Sequence, residues 1–210
     1  MSVVRLRADA ARNVSKILDA AYVASSRTGS APSMEQVAEA AGVGIATVYR
    51  RFPSRSDLLR GVLERRWEET IVPALRRATD ARDAREGMRL ALEGAIRFVA
   101  DDRAMLSVAS DLGLMTTDLA QRFCEPVAGI LERGQRDGLF RPDLVPDDIP
   151  RFVSMLFGAL GTVDAESDGW KRYLDLMLDL ITATRSVVAP VTPVPEHQPV
   201  LPPSRRRQRR

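Results

Sequence analysis

Apolar residues recur at helical spacing along nearly the whole chain, and no stretch alternates with period two between hairpin turns, so the pattern predicts an all-α protein. The first helix falls at 8–27, with Val14, Ile17, Leu18, Ala21 and Ala24 on one stripe and Gly29 following as a C-terminal cap. Ser33 caps the next helix, 33–41, with Gln36 as the reciprocal partner of a capping box and Val37, Ala38 and Ala41 as the buried face. Gly42 ends that helix, and a short one fits 45–52. After Pro53, either Ser54 or Ser56 can cap a fourth helix at 56–67, which Pro73 should kink or end by removing a backbone donor. Longer helices follow at 85–100, 103–112, 117–137, 147–163 and 168–188. The last stretch, 189–210, holds six prolines, ends in RRRQRR, and reads as a disordered tail.

Two short helices joined by a glycine-containing turn meet the requirement of a helix-turn-helix, in which the second helix is held on one side and exposed on the other. Val37, Ala41, Val43 and Val48 supply the inner face, leaving Ile45, Ala46, Thr47, Tyr49 and Arg50 outward. That mixture suits a major groove. Thr47 and Tyr49 can donate to phosphate oxygens, while the aliphatic residues reach thymine methyls and Arg50 reaches guanine. Spacing alone equally allows Tyr49 and Phe52 as core aromatics and Arg50, Arg51 and Arg55 as a solvated face.

Charge adds direction. Residues 1–66 hold 11 Lys/Arg against 6 Asp/Glu, residues 67–185 hold 15 against 21, and residues 186–210 hold 5 against 1. The basic N-terminal part suggests a polyanion partner. Lys16 and Lys171 are the only lysines, so arginine carries the positive charge. Arginine's planar fork suits phosphate and guanine, although a GC-rich genome would favour it too.

The segment 13–59, with MEQVAEAAGVGIATVYRRFPSRSDLL, resembles the N-terminal DNA-binding domain of the tetracycline-repressor-like (TetR) family of bacterial regulators. The resemblance rests on Ala20 and Ala21, the turn Ala41-Gly42-Val43, the Tyr49–Phe52 pair, Arg55, and the Leu58-Leu59 start of the linker helix. It implies phosphate contacts from Thr47, Tyr49 and Arg55, base contacts from Ile45, Ala46 and Arg50, and a place near the backbone for Arg51. Ser33 and Gly44, at the two helix starts, complete the candidate DNA-binding set. Three positions depart from the family pattern: Gly44 stands where Ser is frequent, Arg55 replaces a common Lys, and Ser25 replaces a large aromatic for which Tyr22 can compensate. The implied organisation is a DNA-binding domain at 1–55, a helical regulatory domain for ligand binding and dimerisation at 56–188, and the tail at 189–210.

In the regulatory part the resemblance implies a small-molecule pocket and a homodimer formed by the last two long helices. Pocket candidates are Trp67, Ile71, Met88, Leu92, Ile96, Met105, Leu112, Met115, Phe123 and Val127, which core packing explains equally well. Dimer candidates are Phe152, Leu156, Leu160, Tyr173, Leu174, Met177 and Ile181, on stripes that intramolecular packing could also use. His197, the only histidine, lies in the tail, so no histidine base, nucleophile pair or metal triad can be assembled in the helical part, and no phosphate-binding glycine loop is present. No enzyme, metal or cofactor is expected. Cys124, the single cysteine, reads as a small buried apolar residue or a redox sensor. With no apolar run of membrane-spanning length and no secretory leader, a cytoplasmic location is expected. The arginines of the tail either add unspecific DNA affinity or have no role. The combined expectation is a ligand-responsive homodimeric repressor on a palindromic double-stranded DNA operator. The alternatives are an activator or co-repressor-dependent regulator, and a ligand-binding or scaffold protein whose helix-turn-helix no longer binds DNA.

Overall fold

The computed structural model describes residues 2–114, 117–160 and 169–182, with side chains at 10–114, 121–155 and 169–182. Among the described residues all regular structure is helical, in nine helices: α1 (Ser2–Thr28), α2 (Met34–Ala41), α3 (Ile45–Arg51), α4 (Arg55–Thr79), α5 (Ala84–Asp101), α6 (Arg103–Asp111), α7 (Thr117–Arg136), α8 (Asp148–Leu160) and α9 (Gly169–Thr182). The all-α expectation therefore holds. The tail 189–210, Met115 and the expected ends of the last two helices, 161–163 and 183–188, lie outside the described residues.

The chain divides into two compact units. The first takes residues 1–66 and 102–114, and the second takes 67–101 together with the described residues from 117 onward. In the first unit α1 packs on α2 and α6, and α2 packs on α3. Its core is made by Ile17 and Ala21 of α1, Val37 of α2, Val48 of α3, Leu58 and Val62 of α4, and Met105 of α6, all shielded from solvent. Ser25, expected to leave the core small, is itself fully buried, and its hydroxyl donates to the Ala21 carbonyl at 2.9 Å, so no polar group is stranded.

Helix α4 corrects one expectation. It does not end near Pro73 but runs on to Thr79 with that proline inside it. Proline removes one ladder hydrogen bond. Burial of Ile71, Ala74, Leu75 and Ala78 around it outweighs that local loss. The cap of α4 is Ser54 rather than Ser56: the Asp57 N–H donates to Ser54 Oγ at 3.1 Å, while the Ser54 N–H and hydroxyl donate to Asp57 Oδ2 at 3.1 and 2.6 Å.

In the second unit α5 is central, packing on α7, α8 and α9. Trp67 meets Phe98 edge to face, with ring centroids 6.0 Å apart. Helices α4 and α5 approach so closely that a Cβ at Gly94 would lie 2.4 Å from the Ala74 methyl. The loop after α7 is tied down by the Gln135 amide, which donates to the carbonyls of Arg141 and Leu144, and by the Arg141 N–H, which donates to the Ile181 carbonyl of α9. The Cys124 thiol is pushed up to about 11, mainly by burial and secondarily by the Asp147 carboxylate. That environment fits the unreactive alternative.

Two outcomes follow for stability and reactivity. Gly94→Ala should lower stability by about 1–3 kcal/mol through overpacking, whereas Gly129→Ala, in open space on α7, should raise it by about 0.5–1 kcal/mol, both read by denaturant unfolding. Cys124 should resist a thiol reagent at pH 8 in the folded protein and react on unfolding; rapid labelling of the native chain would contradict its shielding.

Candidate nucleic-acid interface

The turn between α2 and α3 is built from backbone bonds. Gly42 takes the left-handed conformation, φ 65° and ψ 38°, and donates to the Glu39 carbonyl at 3.1 Å, while the Val43 N–H donates to the Ala38 carbonyl at 3.0 Å. A side chain at Gly42 would meet no neighbour, so conformation alone calls for glycine there. Upstream, the Gln36 N–H donates to Ser33 Oγ at 3.2 Å and the Ser33 N–H donates to the Gln36 side-chain oxygen at 2.8 Å. The capping box is therefore formed as the sequence predicts.

Helix α3 begins at Gly44, whose carbonyl accepts the N–H groups of Thr47 at 2.8 Å and Val48 at 3.4 Å. Gly44 contributes no side-chain cap, and its backbone, φ −66° and ψ 141°, is open to any residue. Val48 is 0% exposed and anchors the helix. Around that anchor Ile45 and Tyr49 are 39% and 46% exposed, and Ala46, Arg50 and Arg51 are exposed, with Thr47 half-buried. Arg55, the first residue of α4, is exposed as well. The two aromatics therefore part company. Tyr49 faces solvent, whereas Phe52 turns inward, its ring 3.0 Å from where a Cβ of Gly61 would stand.

Ser33 differs from the rest of its set, because its hydroxyl is engaged inside the first unit as the cap of α2. The Glu35 carboxylate is held below its ordinary range first by its own backbone N–H, then by Ser33, with Arg55 adding attraction. One contribution went unread in the sequence: the Ser54–Asp57 capping box, which sets where α4 starts and so where Arg55 stands. The S-x-x-D spacing was its signal.

The candidate pocket residues are not one group. Trp67, Ile71, Met88, Leu92, Ile96, Phe123 and Val127 are buried in the second unit. Met105 is buried in the first unit and Leu112, 39% exposed, belongs there too, because α6 packs on α1. Met115 lies outside the described residues. The dimer candidates also divide. Leu174 and Ile181, 2% and 1% exposed, are core residues of their own chain, a correction to the expected interface. Tyr173 is 45% exposed, Phe152 and Met177 are half-buried, and Leu156 and Leu160 lie in α8 with side chains outside the description. Among the described side chains of these two helices, the exposed large apolar ones are Met155 on α8 and Tyr173, Leu176 and Leu180 on α9.

Among the described residues no helix is long and apolar enough to cross a membrane, and no cluster of three or more His, Cys, Asp or Glu is placed to hold a metal ion.

Residues 17–62 match the model of bacterial regulatory proteins of the tetR family. An HTH-type transcriptional regulator of Staphylococcus aureus is 29% identical over 102 residues, which are 48% of this chain and 55% of that protein. The match thus spans about half the length of that relative. A TetR transcription regulatory protein from Mycobacterium vanbaalenii superposes with a TM-score of 0.60 at 26% identity, covering 85% of this chain and 99% of that one. The transcriptional regulator FadR of Bacillus subtilis, solved in complex with stearoyl-CoA, does so at 0.61 and 19% identity, covering 80% and 97%. Residues 17–62 are therefore similar to the N-terminal module of the tetR family of bacterial regulatory proteins, on a chain that has the fold of TetR-family regulators.

Proposed function

We propose that the protein is a DNA-binding transcriptional regulator, a homodimeric repressor that releases a palindromic operator when a small organic effector binds its second unit. The observation that carries the proposal is the division of α3 into a sealed side at Val48 and an open side of Ile45, Ala46, Tyr49 and Arg50. On a helix of the tetR module this face offers methyls, a phenol and a guanidinium to the major groove. Tyr49, Thr47 and Arg55 serve the phosphates, Ile45, Ala46 and Arg50 the base edges, and Arg51 the nearby backbone. Ser33 and Gly44 act indirectly, by setting where α2 and α3 begin.

Dimerisation is supported by the second apolar stripe of α9. A helix apolar on two faces needs two partners. Leu174, Leu178 and Ile181 serve the chain's own core, and Tyr173, Leu176, Met177 and Leu180, spaced i, i+3, i+4 and i+7, remain for the second subunit. Two heads then meet half-sites about 34–36 Å apart, or somewhat further. The ligand of the Bacillus subtilis neighbour supports an organic effector. To turn binding nearly off, the effector must favour the non-binding form by about 5.5 kcal/mol. The bacterial cytoplasm is the location this role requires.

Tyr49→Phe and Arg55→Ala should weaken binding to random-sequence and selected duplexes alike, and Arg55→Ala should lower the slope of log affinity against log salt by about one unit. Arg50→Ala should instead flatten sequence preference. Equal effects of all three on preference, measured by fluorescence anisotropy across salt, would contradict these roles. Leu176→Glu with Leu180→Glu should shift the protein to monomer in sedimentation while leaving it folded; an unchanged dimer would reject this face as the interface.

A further inference from the structure

Chain connectivity and a buried charge coincide in the first unit. The head's stretch ends at Arg66, inside α4, and the chain comes back to that unit at Asp102. These two residues are paired: Arg66 Nε donates to both carboxylate oxygens of Asp102, at 3.0 and 3.1 Å. The Asp102 side chain is 0% exposed and that of Arg66 20%. From α1, the Tyr22 ring lies 5.1 Å from the Arg66 guanidinium carbon, covering the cation that meets this carboxylate. Burial, followed by the nearby Asp102 carboxylate, raises the Tyr22 phenol above its ordinary value. Asp102 is the one acidic residue that is buried among the described residues.

Its position makes this placement informative. Asp102 is the N-cap of α6, where an aspartate ordinarily accepts an N–H from the first turn. No such side-chain bond forms. The carboxylate is turned to α4 and α1 instead, and a local cap is given up for a tie to two other helices. Such a tie has two states. Closed, the charge is matched; open, it must reach water, because a half-open arrangement leaves a buried carboxylate without its partner.

We propose that Arg66, Asp102 and Tyr22 form a latch that holds α6 on the head, and that closing this latch is thermodynamically coupled to DNA engagement by the head. The coupling half rests on the DNA-binding role given above. The route is contiguous: α6 packs on α1, α1 on α2, and α2 on α3. A change that draws α6 off α1 therefore loosens the support of α3, and by reciprocity DNA held by α3 must tighten α6.

Hydrogen exchange of the full-length chain, followed by mass spectrometry with and without duplex DNA, tests both halves. Asp102→Asn keeps the shape and removes the charge; it should speed exchange of amides 104–111 at least tenfold and that of residues 34–51 to a smaller extent. Tyr22→Leu, which removes the ring that covers the Arg66 guanidinium, should give a smaller rise in the same segment, and it carries the test if Asp102→Asn does not fold. Saturating random-sequence duplex at low salt should slow exchange of 104–111 in the wild type and not in Asp102→Asn. Unchanged α6 exchange in the folded variants would overturn the latch, as would a rise of equal size throughout the chain. DNA that binds without slowing α6 would overturn the coupling. If no duplex binds, the DNA-binding role and the coupling fall together, while exchange in the free protein still decides whether the latch holds α6.

Discussion

A helix of seven residues makes too few internal hydrogen bonds to stand alone in water, so α3 exists because Val48 is sealed into the head. Burial of one valine is worth about 1.5–3 kcal/mol. It is assisted from outside the helix by the left-handed turn at Gly42 and by the capping box that starts α2. The same anchor dictates the remainder of the surface. With Val48 inward, helical geometry turns Ala46, Tyr49 and Arg50 outward, and Ile45, the first residue of the helix, is 39% exposed beside them. The chemistry offered by this face is a consequence of packing on the other side.

Most of the head was legible in the sequence because its signals are local. Ser33 and Gln36, Gly29 and Gly42 are caps whose spacing alone defines them, and each stands where the spacing puts it. Elsewhere a local rule was outweighed, or left two readings open. Pro73 reads as a kink or an end, yet the burial of its α4 neighbours Ile71, Ala74, Leu75 and Ala78 carries the helix past it. Ser54 and Ser56 are both plausible caps, and only the partnership with Asp57 separates them. Asp102 starts α6 by backbone, but its side chain answers to Arg66, a residue far away along the chain.

The second unit was harder to read for a different reason. Periodicity reports that a face is apolar and is silent on what covers it. Helix α9 carries two apolar stripes, and the one picked out by Leu174 and Ile181 closes on its own chain, leaving Tyr173, Leu176 and Leu180 outside. The pocket candidates show the same limit, since buried apolar residues of α4, α5 and α7 look alike whether they line a ligand or one another. Met105 and Leu112 were grouped with them by sequence position, although α6 belongs with the head.

The central claim is that the open face of α3 reads DNA as one of a symmetric pair. Selection of bound sequences from a pool of random duplexes, with the purified full-length protein at a stated salt concentration, tests it most directly. The account predicts enrichment of an inverted repeat whose half-sites lie about one helical turn apart or somewhat further. Recovery of sequences no different from the starting pool would contradict it.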